Sequence, residues 1–219
     1  MTTKTASKKL NRFTVLPVLL DMLINKHLVF SDPKNWPDKN DSEILEIYEE
    51  NKKYRHKKDV KLFALCFLMG NETVHHWNAF ANGIGGCCIQ FNKAKLEKLF
   101  SAYKKDGLRF GRVVYKKLIE DVSNRASRIP FQKRDPYRIE KEFRVIWEKN
   151  AEEKQCIIPL DDLEVITKVT LSPNMPDLLF KTTEAFLKKH FKVPVNPSTL
   201  YRNSAWIKKF EKFKSPTAI

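Results

Sequence analysis

One short run of the chain, residues 140–147, alternates charged and apolar side chains in a pattern that could support catalysis. If this run forms a β-strand, Glu140, Glu142 and Arg144 share one face, and the apolar residues at 143, 145 and 147 share the other, which faces the core. Two neighbouring carboxylates beside a guanidinium can differ in protonation, and they can stabilise a cation that develops at a sugar carbon. Glu142, Glu140 and Arg144 are therefore the candidate catalytic residues. The alternative is an exposed strand face whose internal ion pairs contribute little to stability.

A second group of reactive side chains surrounds His76 and ends in the glycine-rich turn at residues 83–86. Glu72 and His76 are four residues apart, so on a helix they could form an ion pair or provide two metal ligands. A third ligand is not evident, and no metal site is predicted. The turn has neither the dinucleotide-binding fingerprint nor the P-loop lysine, which favours the end of a helix. Cys88 could pair with His76 as thiol and imidazole, but a cysteine buried in the core is the more common arrangement.

The charge of the chain is strongly positive, with 41 lysines and arginines against 26 acidic residues, or +15. The excess is concentrated in residues 93–117 and 181–219, where aromatic residues are interspersed with the basic ones. Clustered basic residues that release counterions from phosphates favour a nucleic-acid partner, whereas a solvated basic surface is the alternative. The candidate nucleic-acid-binding residues are Lys104, Lys105, Arg109, Arg112, Lys188, Lys189 and Arg202.

The length of 219 residues is enough for one domain with a sizeable core. We expect a flexible basic N-terminus at residues 1–9, a single α+β domain at 10–207 and a basic tail at 208–219. None of the four cysteines has the spacing of a zinc or redox motif, so they are expected to be reduced thiols in a cytoplasmic protein. No stretch is long and apolar enough to span a membrane.

Hydrophobic periodicity predicts a mixed α+β fold, with six to eight strands in a central mixed sheet and about five helices around it. The opening is predicted to be a helix followed by a strand. Helices are predicted from Leu16 to Ile24, from Asn40 to Tyr48, from Asn71 to Ala81, after Asn92, and from Asp177 to Phe191, with the three asparagines as N-caps. Strands are predicted at 28–30, 61–69, 87–91, 109–115, 143–147, 155–160 and 165–172, with an edge strand near Val195.

Several segments, taken in order, resemble the bacterial domain-of-unknown-function family 2971 over about residues 10 to 202. They are Arg12-Phe13, Leu19 to Ile24, Leu28 to Ser31, Trp36 to Lys39, Cys66-Phe67, His76 to Ala81, Gly86 to Phe91, Glu140 to Arg144 and Leu171 to Pro173. The chain departs from the family at Phe80, where a tyrosine is usual. The resemblance implies an accessory or effector of a bacterial or phage conflict system, with a protein partner from the same system.

The order of an early strand, helix and strand with a late Glu-x-Glu strand is similar in outline to small ADP-ribosyltransferases. That resemblance implies that Glu142 stabilises an oxocarbenium-like transition state and that Arg12 holds the phosphates of NAD. Trp77 would form a stacking wall, and Ser31 and Asn82 complete the candidate cofactor-binding residues.

Two functional hypotheses follow from these patterns. The leading hypothesis is an enzyme that acts on a nucleotide or nucleic acid, as an ADP-ribosyltransferase-like transferase or an NAD glycohydrolase. A nuclease is less consistent with the sequence, because no convincing acidic metal cluster is present. The alternative is a non-catalytic basic module that binds nucleic acid or another protein, in which residues 140–144 are structural.

Overall fold

The computed structural model describes residues 8–56, 59–122 and 125–213. Within them the helices are α1 (Leu16–Asn25), α2 (Lys39–His56), α3 (Val74–Phe80), α4 (Lys93–Ala102), α5 (Asp177–Phe191) and α6 (Ser204–Lys208). The strands are β1 (Lys9–Val15), β2 (His27–Phe30), β3 (Val60–Leu68), β4 (Gly86–Asn92), β5 (Leu108–Arg112), β6 (Val114–Lys116), β7 (Gln132–Arg134), β8 (Glu142–Asn150), β9 (Cys156–Pro159), β10 (Ile166–Leu171) and β11 (Val195–Pro197).

Seven of these strands form one sheet in the order β11-β10-β4-β1-β3-β8-β5. Neighbouring strands are antiparallel except for β10 and β11, which run parallel at one edge. Two further pairs, β2 with β9 and β6 with β7, form small separate sheets. The prediction of a mixed α+β fold around a central mixed sheet is therefore confirmed.

The two faces of the central sheet bury different sets of side chains. On one face, Phe143, Val145 and Trp147 of β8 pack in a large apolar core with residues of α1 and α4. On the other face, Ile146 packs against Leu45 and the ring of Tyr48 from α2. The strand alternation predicted for residues 140–147 is confirmed from Glu142 onward, and it fixes which side of β8 carries charge.

Backbone chemistry explains where the elements near the site begin and end. Pro17 lies in the first turn of α1, where its missing N–H would have had no helical partner. Gly86 follows α3 and passes so close to Ala81 that a Cβ atom would overlap the Ala81 carbonyl. The expectation that this turn ends a helix and lets two backbone segments meet is confirmed.

Several predicted boundaries are wrong. The chain opens with β1 before α1, a strand that only the family resemblance indicated. Residues 109–115 do not form one strand, because Val113 separates β5 from β6 and donates its N–H to the Glu142 carbonyl. α2 runs on to His56, well beyond the predicted end near Tyr48.

The helix caps follow the predictions only in part. Asn92 caps α4, as predicted, by accepting a hydrogen bond from the Lys95 N–H. Thr73, and not Asn71, caps α3. At α2 the side chain of Asp38, and not that of Asn40, accepts from an N–H of the first turn. In both helices a short polar side chain two residues from the predicted asparagine accepts the capping hydrogen bond. The sequence pattern therefore predicts the position of a helix start better than the identity of the capping residue.

The expected flexible ends are only partly covered by the structure. Residues 1–7 and 214–219 lie outside the described chain. Lys9, which was assigned to the flexible N-terminus, already pairs with Asn92 in the central sheet. Among the described helices, none has both the length and the apolar character needed to cross a bilayer.

Candidate active site

A cavity of about 420 Å³ lies beside the place where β1 and β3 stop pairing. The two antiparallel strands pair at Asn11 and Leu68. Further along β3, Ala64 pairs instead with Ser31, and the two residues exchange both backbone hydrogen bonds. The lining residues are Asn11, Arg12, Phe13, Ser31, Trp36, Pro37, Asp38, Asp41, Ala64, Leu65, Cys66, Phe67, Leu68, His75, His76, Ala79, Phe80, Lys133, Tyr137, Glu140 and Glu142. Four of the predicted candidates, Arg12, Ser31, Glu140 and Glu142, therefore line one site.

Arg144 lies behind the cavity wall and is fully buried. Its Nε and Nη2 donate to the two carboxylate oxygens of Glu142, at 2.6 and 2.9 Å. Nη1 donates to Asp41 and to the Pro130 carbonyl, at 2.9 and 3.0 Å, and Nη2 reaches the second Asp41 oxygen. The guanidinium also stacks over the Trp36 ring, 5.5 Å from its centroid. Arg144 is not among the lining residues, so it holds Glu142 in place and does not touch a ligand there.

Lys133 of β7 is the charged residue that links the carboxylates of the cavity. Its side chain is only 9% exposed, and Nζ lies 4.5 Å from the centroid of the Tyr137 ring. Burial lowers the pKa of Lys133, but the surrounding carboxylates outweigh burial, and the net shift is upward. The carboxylates around Nζ are those of Glu140 at 2.9 Å, Asp41 at 3.3 Å, Asp38 at 3.5 Å and Glu142 at 3.8 Å.

Glu140 and Glu142 have opposite protonation tendencies although they are two residues apart. Burial raises the pKa of Glu140, and Lys133 offsets this effect only in part. Burial also acts to raise the pKa of Glu142, but the bidentate contact with Arg144 and the charge of Lys133 outweigh it, so the pKa is lowered. Glu142 is thus a fixed anion, and Glu140 is suited to exchange a proton.

Glu140 reaches the cavity by a different route from the one predicted. It lies at the end of a 3-10 helix, Asp135–Glu140, and not on β8. Lys141 adopts a left-handed conformation with φ of 43° before the strand begins. His75 Nε2 lies 3.8 Å from the second oxygen of Glu140. The two carboxylates therefore converge because of a turn and not because of strand alternation.

Arg12 provides an unmatched positive charge at the cavity. In the described part of the chain its Nη1 is shielded from solvent and has no hydrogen-bond partner. Burial lowers the pKa of Arg12 to about 10, so the side chain remains charged at neutral pH. Asn11 beside it, Leu68 and Glu142 pair in sequence across β1, β3 and β8, which places Arg12 one residue along from the rung that holds Glu142. A half-buried cation without a carboxylate partner among the described residues is suited to bind a ligand anion.

One wall of the cavity is made by α3. His75, His76, Ala79 and Phe80 line it, and the ring of Phe13 stacks on His76 with centroids 5.3 Å apart. Thr73 Oγ1 lies 2.7 Å from His76 Nδ1. Burial, with His75 nearby, lowers the pKa of His76 to about 4, so this imidazole is neutral at pH 7. Phe80, which is 46% exposed, offers an uncharged flat ring to a ligand, and the buried His76 supports this wall.

Trp77 does not form the expected stacking wall. It is 1% exposed, meets Phe13 edge to face, and donates its indole N–H to Glu72 at 2.7 Å. A ligand cannot reach either face of a ring that is packed in this way, so Trp77 supports Phe13 from behind. Because Glu72 also accepts from Ser198, its carboxylate is committed to these contacts and does not join His76 in a metal site.

The remaining cofactor candidates lie in different places. Ser31 is exposed and lines the cavity, where its Oγ accepts a hydrogen bond from the Trp36 indole at 2.9 Å. Asn82 is outside the cavity lining, and its side chain accepts from the Gly83 N–H within the turn. Cys88 is buried against Trp77, and burial raises the pKa of its thiol, which supports the core interpretation of this cysteine.

The residues predicted to bind nucleic acid differ in their surroundings. Arg109 is engaged internally, since its guanidinium donates to Tyr48, Glu148 and the Ser127 carbonyl. Lys104 lies over the Phe110 ring, and Lys188 pairs with Glu184. The other members of the set, Lys105, Arg112, Lys189 and Arg202, are exposed.

Sequence reasoning missed Lys133, Asp41, Asp38, Tyr137 and His75. Asp41 is far from residues 140–144 in the chain, Lys133 precedes Glu140 by seven residues, and neither stands in a recognisable motif. A lysine that will be buried looks the same in sequence as one that will be solvated. For the segment that contains Asp38 and Asp41, the sequence predicted only the start of a helix.

Comparisons with known proteins give limited information. No family model matches the chain, and no curated protein matches it significantly. The resemblance to family 2971 therefore stays a prediction. Among solved structures, the chain is similar to DarT from Thermus sp. 2.9 in complex with NAD+, with a TM-score of 0.43 and 9% identity over 88% of this chain and 96% of that chain. At this distance the similarity carries no argument about function.

Proposed function

We propose that this chain is an enzyme that cleaves the N-glycosidic bond of a nucleotide, with NAD as the leading substrate, and passes the ribosyl group to water or to an acceptor. The observation that carries the proposal is the cavity itself. It joins two carboxylates of opposite protonation tendency to an arginine with a free donor. A phosphate-bearing sugar that reacts through a cation needs these groups in one place.

Glu142 supplies fixed negative charge where positive charge develops. When the bond between the sugar carbon and the base nitrogen breaks, both electrons leave with the base and a cation forms at the sugar. The anion of Glu142 is held by both arms of Arg144, so it requires no reorganisation as that charge appears.

Glu140 is suited to the proton transfer that completes the reaction. Water or an acceptor hydroxyl adds to the sugar cation and loses a proton, which Glu140 accepts in its ionised form. Because the pKa of Glu140 is raised, its ionised form is a stronger base than an ordinary glutamate. Activity should therefore fall in acid as Glu140 becomes protonated, above the range of an unperturbed glutamate.

Arg12 and α3 account for binding. The free Nη1 of Arg12 would donate to a phosphate oxygen of the substrate. The ring of Phe80, which is 46% exposed and lines the cavity, would support a base or nicotinamide ring, and it adds no positive charge that would repel a cationic pyridinium. A role in a conflict system rests on the family resemblance alone and stays a prediction, as does a protein partner.

The test is release of nicotinamide from NAD, followed by chromatography, for the wild-type chain and three variants. Glu142→Gln should abolish release, because it keeps the shape of the side chain and removes the charge. Glu148→Gln is the matched control, since Glu148 lies on β8 and binds Arg109 and Tyr48 outside the cavity. It should keep activity.

Glu140→Gln protects this test against a folding artefact. We expect this variant to fold, because it removes a buried carboxylate that is not clamped by Arg144, and still to lose most of its turnover. Equal activity of Glu142→Gln and the wild-type protein would refute the proposal. So would an inert wild-type protein across NAD and the common nucleotides.

A further inference from the structure

The last described part of the chain, residues 201–213, exposes an unusual amount of apolar surface. Every residue of this C-terminal segment whose side chain is described is exposed. Trp206 is 59% exposed, Ile207 49% and Phe210 51%. These large side chains stand on α6, a helix of five residues, and on the turns that follow it. An apolar surface of this kind marks a place where something else binds.

The rings of the C-terminal segment are arranged so that their faces remain accessible. Trp206 and Phe210 meet edge to face, with centroids 5.2 Å apart and an interplanar angle of 69°. Lys209 lies over the Trp206 ring, with Nζ 5.3 Å from its centroid. Two rings that meet at an edge do not cover each other, so another flat ring can stack on either of them. The ammonium of Lys209 then lies beside that place.

The charge of the C-terminal segment has one sign. Glu211 is its acidic residue, and the basic residues from position 202 to 214 are Arg202, Lys208, Lys209, Lys212 and Lys214. A basic segment with exposed rings is complementary to a polyanion that carries flat bases.

The C-terminal segment begins at the outer side of the cavity wall. Just before it, Ser198 donates to Glu72 at 2.7 Å and Leu200 packs against Trp77. Trp77 belongs to α3, which lines the cavity with its other face. A long partner bound to the segment is therefore held on the α3 side of the cavity.

We propose that the C-terminal segment binds a nucleic acid that has unpaired bases. Trp206 and Phe210 stack on bases, while Arg202, Lys208 and Lys209 contact phosphates. Stacking requires bases that are not enclosed in a duplex, so a single strand binds more tightly than a double strand of the same sequence. The inference is independent of the reaction in the cavity, because it concerns residues outside that site.

The test uses fluorescence anisotropy of a short labelled oligonucleotide, as single-stranded DNA, single-stranded RNA and duplex, with the full chain. The double variant Trp206→Ala with Phe210→Ala should weaken binding to the single strand about tenfold or more. Lys208→Glu with Lys209→Glu should also weaken it, and the slope of log affinity against log salt should fall by about one to two. Tight binding of either DNA or RNA supports the proposal.

The matched control is Lys39→Glu with Lys154→Glu, which changes the net charge equally at two exposed lysines outside the segment. It should keep both the affinity for the oligonucleotide and most of the salt slope. Circular dichroism should show unchanged folding for all variants, since the altered side chains are exposed. Three results would overturn the proposal: wild-type affinity in the aromatic variant, equal or tighter binding of the duplex, and binding of phosphatidylglycerol vesicles through Trp206 in a chain that ignores the oligonucleotide.

Discussion

Arg144 and Arg12 are two arginines held on neighbouring parts of one sheet, and the structure treats them in opposite ways. Arg144 is fully buried, and its three nitrogens donate to Glu142, Asp41 and the Pro130 carbonyl. Arg12 has a shielded Nη1 that no described group accepts from. The surroundings raise the pKa of the first side chain and lower that of the second to about 10. Arg144 therefore belongs to the folded framework, and Arg12 is left for a ligand.

The difference is energetic as well as geometric. A buried ion pair adds little over an apolar pair of the same shape, but removal of one partner leaves the other charge buried and uncompensated. Loss of Arg144 would leave two buried carboxylates, Glu142 and Asp41, with only the more distant charge of Lys133 to compensate them among the described residues. Loss of Arg12 would leave no carboxylate behind, since the described residues provide none within ion-pair distance.

The largest effect is expected from Arg144→Met. The variant leaves Glu142 and Asp41 buried without their bidentate partner, with Lys133 as the nearby described cation that remains, and we expect a loss of about 3–5 kcal/mol in the free energy of unfolding. Urea denaturation followed by circular dichroism measures this loss. Arg144→Lys should recover only part of it, because a lysine keeps the charge but cannot bind both carboxylates in a bidentate manner. A loss below about 1 kcal/mol for the methionine variant would contradict a structural role for Arg144.

A smaller effect is expected from Glu142→Gln, and it should depend on pH. The pKa of Glu142 in the folded state lies below the ordinary value of 4.5, so its ionised form stabilises the fold above that pH. The contribution disappears as pH falls through the lowered folded-state pKa. The glutamine variant should thus be less stable by about 2–3 kcal/mol at pH 7, and the difference should shrink in acid. Urea midpoints across a pH series test this, and a difference that grows in acid would exclude the assigned sign.

The smallest effect on stability is expected from Arg12→Met. We expect the free energy of unfolding to stay within about 1 kcal/mol of wild type, since the substitution removes a partly buried charge and breaks no described ion pair. Binding of NAD should weaken about 10- to 100-fold, as measured by calorimetry, because a charge-assisted contact to phosphate is lost. Arg138→Gln is the control, because Arg138 pairs with Asp135 at the surface. Large destabilisation of Arg12→Met with intact binding would reverse the comparison.

The sequence predicted the parts of this site that depend on local geometry. Alternation along residues 142–147 was sufficient to place Glu142 and Arg144 on one face, because a strand has a period of two. It was not sufficient for Glu140, since the left-handed turn at Lys141 is chosen by the packing of the preceding 3-10 helix. The helix containing Trp77 was also predicted, but its rotation against β1 was not. That rotation turns His76 and Phe80 to the cavity and Trp77 to the core.

Lys133 shows a different limit of sequence reasoning. Its role depends on four carboxylates that come from the residue just before α2, from α2 itself, from the 3-10 helix and from β8. Such a cluster forms only when separate segments assemble in the fold, so the spacing of residues along the chain does not predict it. The Glu-x-Glu pattern predicted Glu140 and Glu142, whereas Lys133, Asp38 and Asp41 could be recognised only in the folded structure.

The single rung between Asn11 and Leu68 has a mechanical consequence. The central sheet consists of two well-bonded parts. β1 pairs along its length with β4, and β3 pairs along its length with β8, whereas β1 and β3 pair only at Asn11 and Leu68. Separation of β1 from β3 would break few of the backbone hydrogen bonds of the sheet. We therefore expect the sheet to deform more readily between β1 and β3 than within either well-bonded part, and this place adjoins the cavity that a ligand must enter.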